Sequence, residues 1–244
     1  MPILEAAPER RTRSDRRKPA EQPVIDDLLG ALGRGEIEIL FQPQFAAADG
    51  TLVGAEALAR WQHPERGRIG AEELFAIAAR AGLVERLSRH VARAALVTAG
   101  NWPVPLRLSL NVTAADVAAG DFAGNLALAV EEAGFPPEHL TIEITEQVLL
   151  TDLDRIAERL RRLAELGICI ALDDFGAGFC NFHYLKRLPI HALKLDRSMI
   201  EGVAEGIERE EQRAAIAREG CGAWQGFFGA RPMTGPEFAA LVRR

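Results

Sequence analysis

The sequence predicts an α/β fold, a TIM-type (β/α)8 barrel whose first strand is antiparallel. Two observations predict it. Short β-rich runs alternate with helical segments over most of the chain, which is typical of βαβ units on a parallel sheet. A polar residue also stands at or near the carboxyl end of seven predicted strands, and in a barrel those ends converge on one mouth. A doubly wound sheet is the alternative, but it does not explain why so many strands carry one polar residue each.

The chain divides into a basic arm and an acidic body. Residues 1–18 hold six basic and three acidic side chains, so this segment has a net charge of +3, although the whole chain has a net charge of -6. We interpret residues 1–23 as a disordered arm. Residues 24–244 form the predicted barrel domain. An acidic body disfavours DNA binding, since DNA affinity rests on neutralising phosphates, and it suits a metal site. The sequence shows no apolar run of membrane-spanning length, so we expect no membrane insertion. Three cysteines without a C-x-x-C pair indicate a reducing, cytoplasmic compartment.

The first elements form an antiparallel pair. Helical spacing at 24–32 precedes the alternating strand 36–41, which Pro43 should close. Asp49-Gly50 then predicts a hairpin turn into a second strand at 51–58. The elements that follow are helices at 71–80, 84–99, 121–133, 152–166 and 208–218, and strands at 106–111, 140–144, 168–173, 192–195, 202–205 and near 223–226.

One connection is too short for this fold. About six residues, Arg197 to Gly202, join the strand that ends near Asp196 to the next one, whereas parallel neighbours need a crossover of about a dozen residues or more. The sequence therefore predicts that one crossover helix is missing after the sixth strand.

The polar residues at the strand ends suit divalent cations. They are Glu56, Asn111, Glu143, Asp173, Lys194, Glu205 and Gln225. Carboxylate and amide oxygens are hard ligands that favour Mg²⁺ or Mn²⁺ over zinc. The tandem Asp173-Asp174 allows one segment to ligate two ions, although such a pair also caps turns. Lys194 lies in an apolar strand and needs charged partners, which the carboxylates supply.

Seven ordered motifs carry a resemblance to a known family. They are Glu56-Ala57-Leu58-Ala59-Arg60-Trp61, Ser109-Leu110-Asn111, Glu143-Ile144-Thr145-Glu146, Asp173-Asp174-Phe175-Gly176-Ala177-Gly178, Leu193-Lys194-Leu195-Asp196, Ala204-Glu205-Gly206-Ile207-Glu208 and Gln225-Gly226-Phe227. In order and spacing they resemble the EAL domain of cyclic di-GMP phosphodiesterases, from about Val24 to the C-terminus.

The resemblance implies a two-metal site that hydrolyses cyclic di-GMP to linear pGpG. The metal ligands it implies are Glu56, Asn111, Glu143, Asp173, Asp174 and Glu205, with Asp173 shared between the ions. Glu205, Lys194 and Asp174 would be catalytic, because Glu205 orients the attacking water and Lys194 holds it or neutralises charge. The substrate-binding residues implied are Arg60, Gln42, Gln225 and Phe227. Glu146 would anchor the loop 175–181.

The chain departs from the family pattern at three places. About two dozen residues are missing between Ile200 and Glu201, where EAL domains carry a loop and a helix. Either the protein has lost them or the sequence as printed omits them, and the second is favoured because a lost helix exposes apolar strand faces. Cys180-Asn181 replaces two serines in the loop after Asp174, and Gly229 replaces an aromatic near the guanine.

Two interpretations of function remain open. The intact ligand set favours an active phosphodiesterase, whereas the short connector and the altered loop favour a degenerate module that binds cyclic di-GMP or a protein without cleavage. In either case the resemblance implies a homodimer. If the chain comes from a longer parent protein, we also expect a regulatory domain in that protein.

Overall fold

The computed structural model describes residues 22–146, 148, 153–175, 186–195, 206–218 and 221–243. In these residues the strands are β1 (Ile37–Ala46), β2 (Leu52–His63), β3 (Gly67–Ile69), β4 (Arg107–Val112), β5 (Leu140–Thr145), β6 (Cys169–Phe175), β7 (Ala192–Leu195), β8 (Ala223–Gln225) and β9 (Met233–Thr234). The helices are α1 (Gln22–Arg34), α2 (Ala71–Ala81), α3 (Val84–Gly100), α4 (Ala114–Ala118), α5 (Phe122–Ala133), α6 (Leu153–Glu165), α7 (Glu210–Arg218) and α8 (Gly235–Val242). A 3₁₀ turn covers Pro137–His139.

The strands form a single sheet with the order β7-β6-β5-β4-β2-β1-β8, while β3 pairs with β2 and β9 with β1. Strands β2, β4, β5, β6 and β7 run parallel, and β1 is antiparallel to both β2 and β8. The predicted antiparallel first strand is therefore confirmed. Within the described residues β7 and β8 are not joined by hydrogen bonds, and the predicted strand 202–205 lies outside them.

The β1–β2 hairpin forms at the predicted turn. Gly50 adopts a positive φ of 71°, and the Asp49 carboxylate accepts a hydrogen bond from the backbone N–H of Thr51. The prediction that Pro43 closes β1 is wrong, because the strand continues to Ala46 and Pro43 pairs with Ala55. On the other edge of β1, β9 pairs at Leu40 and Phe41 and β8 pairs from Gln44 onward, so no strand of the described residues pairs with Pro43 there. Proline lacks a donor and is accommodated at such a position.

Strand β2 extends five residues beyond its predicted end. It pairs with β1 from Leu52 to Trp61 and with β4 only from Gly54 to Ala57, and β3 pairs with its last residues, Trp61 to His63. This extension carries its own apolar cluster, in which Trp61 packs with residues of α1, α2 and α3 such as Leu28, Leu74 and Leu87. The β1–β2–β3 extension is therefore a packed wall beyond the β2–β4 pairing, with Trp61 on the side that faces the helices and Arg60 on the opposite side.

The main core lies between the parallel strands and the helices α3, α5 and α6. Leu108, Ile142 and Ile170 are fully buried strand residues at its centre. Local signals begin and end the helices around it: Asp121 caps α5, and Gly134 ends that helix with φ 61°. No helix among the described residues is long and apolar enough to cross a bilayer.

Candidate active site

The ammonium group of Lys194 lies among three carboxylates. Its Nζ is 2.7 Å from Oε2 of Glu143, 3.3 Å from Oδ2 of Asp173 and 3.5 Å from Oε2 of Glu56. The side chains of Glu56 and Glu143 are 8% and 2% exposed, and those of Asp173 and Lys194 are 13% and 15% exposed. The structure thus brings together four of the residues that the sequence predicts for the site.

Two amide side chains complete the cluster around Glu56. Nδ2 of Asn111 and Nε2 of Gln225 each donate to the carboxylate, both at 2.6 Å. The predicted site residues therefore come from six strands, β2, β4, β5, β6, β7 and β8, and meet at one position.

The strand register explains why these side chains meet. Asn111 pairs with Glu143, and Glu143 pairs with Ala171, so Asp173 lies two residues further along β6. Residues two apart on a strand face the same side, which places Ala171 and Asp173 on one face. Parallel strands end at the same edge of the sheet, and that edge carries the cluster.

Burial and charge move the pKa values of the two glutamates in opposite directions. For Glu143, burial raises the pKa to about 8; the neighbouring Glu56 and Asp173 act in the same direction, and Lys194 opposes them. For Glu56, burial raises the pKa, but Lys194 and the hydrogen bonds from Gln225 and Asn111 outweigh it and leave the pKa below its usual value. Of these two glutamates, Glu56 loses its proton more readily.

The donor set fits a hard divalent cation. Glu56, Glu143 and Asp173 present oxygens around one positive charge, that of Lys194, so the position already accommodates a cation. Among the described residues, however, no three His, Cys, Asp or Glu residues converge on a common metal position. The side chain of Asp174 and all of Glu205, two further predicted ligands, lie outside what the structure describes.

Beside the cluster lies a cavity of about 700 Å³, lined by Glu143, Lys194 and Gln225 among others. Gln44 also lines it, and its Nε2 donates to Oε1 of Gln225 at 3.3 Å and to Oγ of Ser109 at 3.4 Å. The sequence analysis did not single out Gln44 as a site residue. Its position two residues after Gln42 on β1 puts both glutamines on one face of the sheet, and this spacing could have indicated it.

The predicted substrate-binding residues lie on β1, β2 and β8 and on the loop that follows β8. Arg60 follows Glu56 by four residues on β2, so both face the same side. Burial lowers the pKa of Arg60, and the neighbouring Arg68 lowers it further. Phe227 is 51% exposed, whereas Gln42 is 5% exposed and donates from Nε2 to the carbonyl of Ala230 at 2.5 Å.

The predicted role of Glu146 remains a prediction. This residue directly follows β5, but residues 176–185, which hold most of the loop it would anchor, lie outside the described part of the chain.

The fold and the cluster define a barrel protein with a polar site at the carboxyl ends of its strands. The model of the EAL domain matches residues 25–203, and the chain belongs to the EAL domain family. It is similar to two proteins of Pseudomonas aeruginosa: the cyclic di-GMP phosphodiesterase RocR (31% identity, 90% of this chain, 63% of the relative) and the cyclic di-GMP phosphodiesterase NbdA (32%, 87% and 31%).

A solved structure supports the fold independently. The PaMucR phosphodiesterase in complex with c-di-GMP is 29% identical and superposes with a TM-score of 0.83 over 88% of this chain and 99% of that chain. The barrel prediction is thereby confirmed. The chain spans about 30% of the length of the first curated relatives it matches. The RocR alignment spans 247 residues, yet 90% of this 244-residue chain is only about 220 residues, as expected for a chain with a missing segment.

Proposed function

We propose that this domain hydrolyses cyclic di-GMP to linear pGpG. The observation that carries the proposal is the cluster of Glu56, Glu143 and Asp173 around Lys194 at the mouth of an EAL-family barrel. Relatives that share 31% and 32% identity over most of this chain are named cyclic di-GMP phosphodiesterases. A solved relative at 29% identity is described as a complex with c-di-GMP.

The proposed cofactors are two Mg²⁺ or Mn²⁺ ions. Glu56, Asn111, Glu143 and Asp173 would hold the first ion, and Asp174 together with the shared Asp173 would hold the second. Glu205 would complete the site as a metal ligand or as the base that orients the attacking water. When bound, the ions would neutralise phosphate charge and lower the pKa of a water molecule.

The chain's own residues would bind the substrate and position the water. Arg60, on the wall above Glu56, would pair with a substrate phosphate, for which its planar guanidinium is suited. Glu205 would accept the proton of the attacking water, and Lys194 would stabilise negative charge that develops on the phosphate. Gln225 would keep Glu56 oriented through its 2.6 Å hydrogen bond.

The degenerate module is the second candidate, and one observation favours it. The ammonium of Lys194 lies within 3.5 Å of all three carboxylates, so the cluster has a compensating cation without any metal ion. Such a domain would bind cyclic di-GMP and release it unchanged.

Product analysis separates the two candidates. The purified protein is incubated with cyclic di-GMP in Mn²⁺, in Mg²⁺ and in EDTA, and nucleotides are resolved by chromatography while calorimetry measures binding. Conversion to pGpG with either metal and none in EDTA supports the enzyme. Binding without conversion in all three conditions supports the degenerate module, and the absence of both contradicts both candidates.

Further proposals concern the assembly. We expect a homodimer in the cytoplasm and, in a longer parent chain, a regulatory domain. Residues 1–21 of the predicted arm lie outside the described residues, and Gln22 and Pro23 begin α1. Light scattering that shows only monomer would contradict the homodimer.

A further inference from the structure

The half-buried Arg60 forms no ion pair within the described part of the chain. Its Nη1 donates to the carbonyl of Ala59 at 2.8 Å. Burial and the positive charge of Arg68 lower the pKa of Arg60, and the carboxylates of Glu56 and Glu38 only partly oppose them. A guanidinium in these surroundings is suited to an anionic ligand, which would supply the negative charge that the protein does not place beside it.

A carboxylate that could neutralise Arg60 is present on the neighbouring strand. Glu38 of β1 lies directly opposite Arg60 in the β1–β2 pairing. Side chains at directly opposite positions on one face of a sheet are close enough to touch, and opposite charges there commonly form an ion pair. In this structure, however, Glu38 and Arg60 are not paired, and the carboxylate of Glu38 accepts hydrogen bonds from two other side chains.

These two side chains are Gln62 and Arg68. Nε2 of Gln62 donates to Oε2 of Glu38 at 2.6 Å, and Nη2 of Arg68 donates to the same oxygen at 3.1 Å. Gln62 follows Arg60 by two residues on β2, so both face the same side, and Arg68 of β3 pairs with Gln62. Because β2 lies between β1 and β3, the side chain of Glu38 reaches across β2, past the position opposite Arg60.

We propose that Gln62 and Arg68 are positioning residues that hold the carboxylate of Glu38 away from Arg60 and so keep the Arg60 guanidinium available for a phosphate of the substrate. The inference rests on the proposed function, because it takes Arg60 as the group that pairs with this phosphate. A released Glu38 would compete with the phosphate for the same guanidinium, and breaking that ion pair would weaken substrate binding. Arg68 acts through Glu38 and touches no substrate atom in this proposal.

A mutant cycle on Glu38 tests the proposal. Dissociation constants for cyclic di-GMP are measured by calorimetry in EDTA, which prevents turnover. Gln62→Met and Arg68→Met should each weaken binding, and the two together should weaken it about threefold, the scale of a competing exposed ion pair. In the Glu38→Gln background the same substitutions should have no further effect, since both residues act through that carboxylate. Glu38→Gln alone should bind at least as tightly as wild type.

Two comparisons separate the release of Glu38 from a simple loss of positive charge. Gln62→Met leaves the net charge unchanged, so its effect reports the lost hydrogen bond to Glu38. Arg66→Met is the matched charge control, because Arg66 lies two residues before Arg68 and pairs with Glu73 at 3.0 Å instead of Glu38. This variant should bind like wild type. In steady-state assays Gln62→Met and Arg68→Met should raise KM and leave kcat unchanged, as expected for groups that affect binding alone.

A crystal structure of the Gln62→Met/Arg68→Met variant gives a readout that needs no substrate. The carboxylate of Glu38 should then form an ion pair with the guanidinium of Arg60. A carboxylate that stays apart from Arg60 in this variant overturns the inference. Thermal unfolding of each variant checks that it is folded.

Failure of the inference is distinguishable from failure of the proposed function. If wild type binds and cleaves cyclic di-GMP while Gln62→Met and Arg68→Met bind like wild type, or if their effects persist in Glu38→Gln, the positioning role is wrong and the function stands. If wild type binds but does not cleave, the hydrolysis fails and the cycle still decides the role of Gln62 and Arg68. If wild type neither binds nor cleaves, both are overturned.

Discussion

Nζ of Lys194 lies 2.7 Å from Oε2 of Glu143, although the strands that carry these residues, β7 and β5, are separated by β6. The lysine side chain therefore reaches across β6 to a carboxylate that is only 2% exposed. Charges that are buried together depend strongly on one another, because each lacks the water that would otherwise solvate it.

Removing the ammonium should destabilise the metal-free protein. We expect Lys194→Met to lower the free energy of unfolding by about 3 kcal/mol, because it leaves Glu56 buried without its cation and the buried Glu143 carboxyl without its hydrogen-bond donor. Urea denaturation in EDTA measures the loss, and excess Mn²⁺ should reverse part of it. The double variant Lys194→Met/Glu143→Met is the control and should be more stable than Lys194→Met alone. Equal stability of Lys194→Met and wild type in EDTA would contradict the pairing.

The extension above β4 should contribute acid-dependent stability through Glu36. Hydrogen bonds from Arg34 and from Nε1 of Trp61 lower the pKa of this carboxyl from 4.5 to about 2. A lowered folded-state pKa stabilises the fold above the unfolded value, and this contribution is lost as the pH falls through the folded value. Glu36→Gln should therefore be less stable than wild type at pH 7, and the difference should shrink between pH 4.5 and about 2.

Urea denaturation at several pH values, followed by tryptophan fluorescence, tests this expectation. Glu72→Gln, at an exposed position in the first turn of α2, is the matched control. If the stability difference between Glu36→Gln and wild type stays constant from pH 7 to pH 2, ionisation of the Glu36 carboxyl does not contribute the acid-dependent stability.

The turn after β4 should depend on a buried cap. Asp116 is 2% exposed, and its carboxylate accepts from the backbone N–H and the hydroxyl of Thr113 in a capping box at the start of α4. We expect Asp116→Ala to cost about 2 kcal/mol, the upper range for a lost cap, because it also leaves these donors buried. Asp121→Ala removes the exposed cap of α5 and should cost less in the same thermal unfolding series. A larger loss of stability in Asp121→Ala than in Asp116→Ala would contradict the role that we assign to the burial of Asp116.

The periodicity of apolar residues in the sequence predicts most of the fold. Leu108, Ile142 and Ile170 lie in apolar strands that alternation predicts, and the polar residues at the ends of these strands meet because parallel strands share an edge. Strands β3 and β9 and the helices α4 and α8 were missed. They span two to eight residues, too short to show a period, and their existence depends on tertiary pairing.

Some features of the site could not be predicted from single residues. The contact between Gln42 and Ala230 joins positions 188 residues apart, and only the pairing of β1 with β8 and β9 brings them together. The cation–π contact of Arg231 with Phe227 depends on the backbone path of the loop after β8, which backbone hydrogen bonds to Ile207 determine. Glu205 was placed by family resemblance and lies outside the described residues, so its position remains a prediction.

The rate of pGpG formation by Glu56→Gln in saturating Mn²⁺ decides whether the carboxylates around Lys194 form the active site. This substitution keeps the size of the side chain and removes the carboxylate that Lys194, Asn111 and Gln225 contact. We predict that wild type and the exposed control Glu72→Gln form pGpG. Glu56→Gln should lose at least about two orders of magnitude in rate, the scale at which single electrostatic groups contribute to catalysis. Cleavage by Glu56→Gln at the wild-type rate would contradict the assignment of this cluster as the active site.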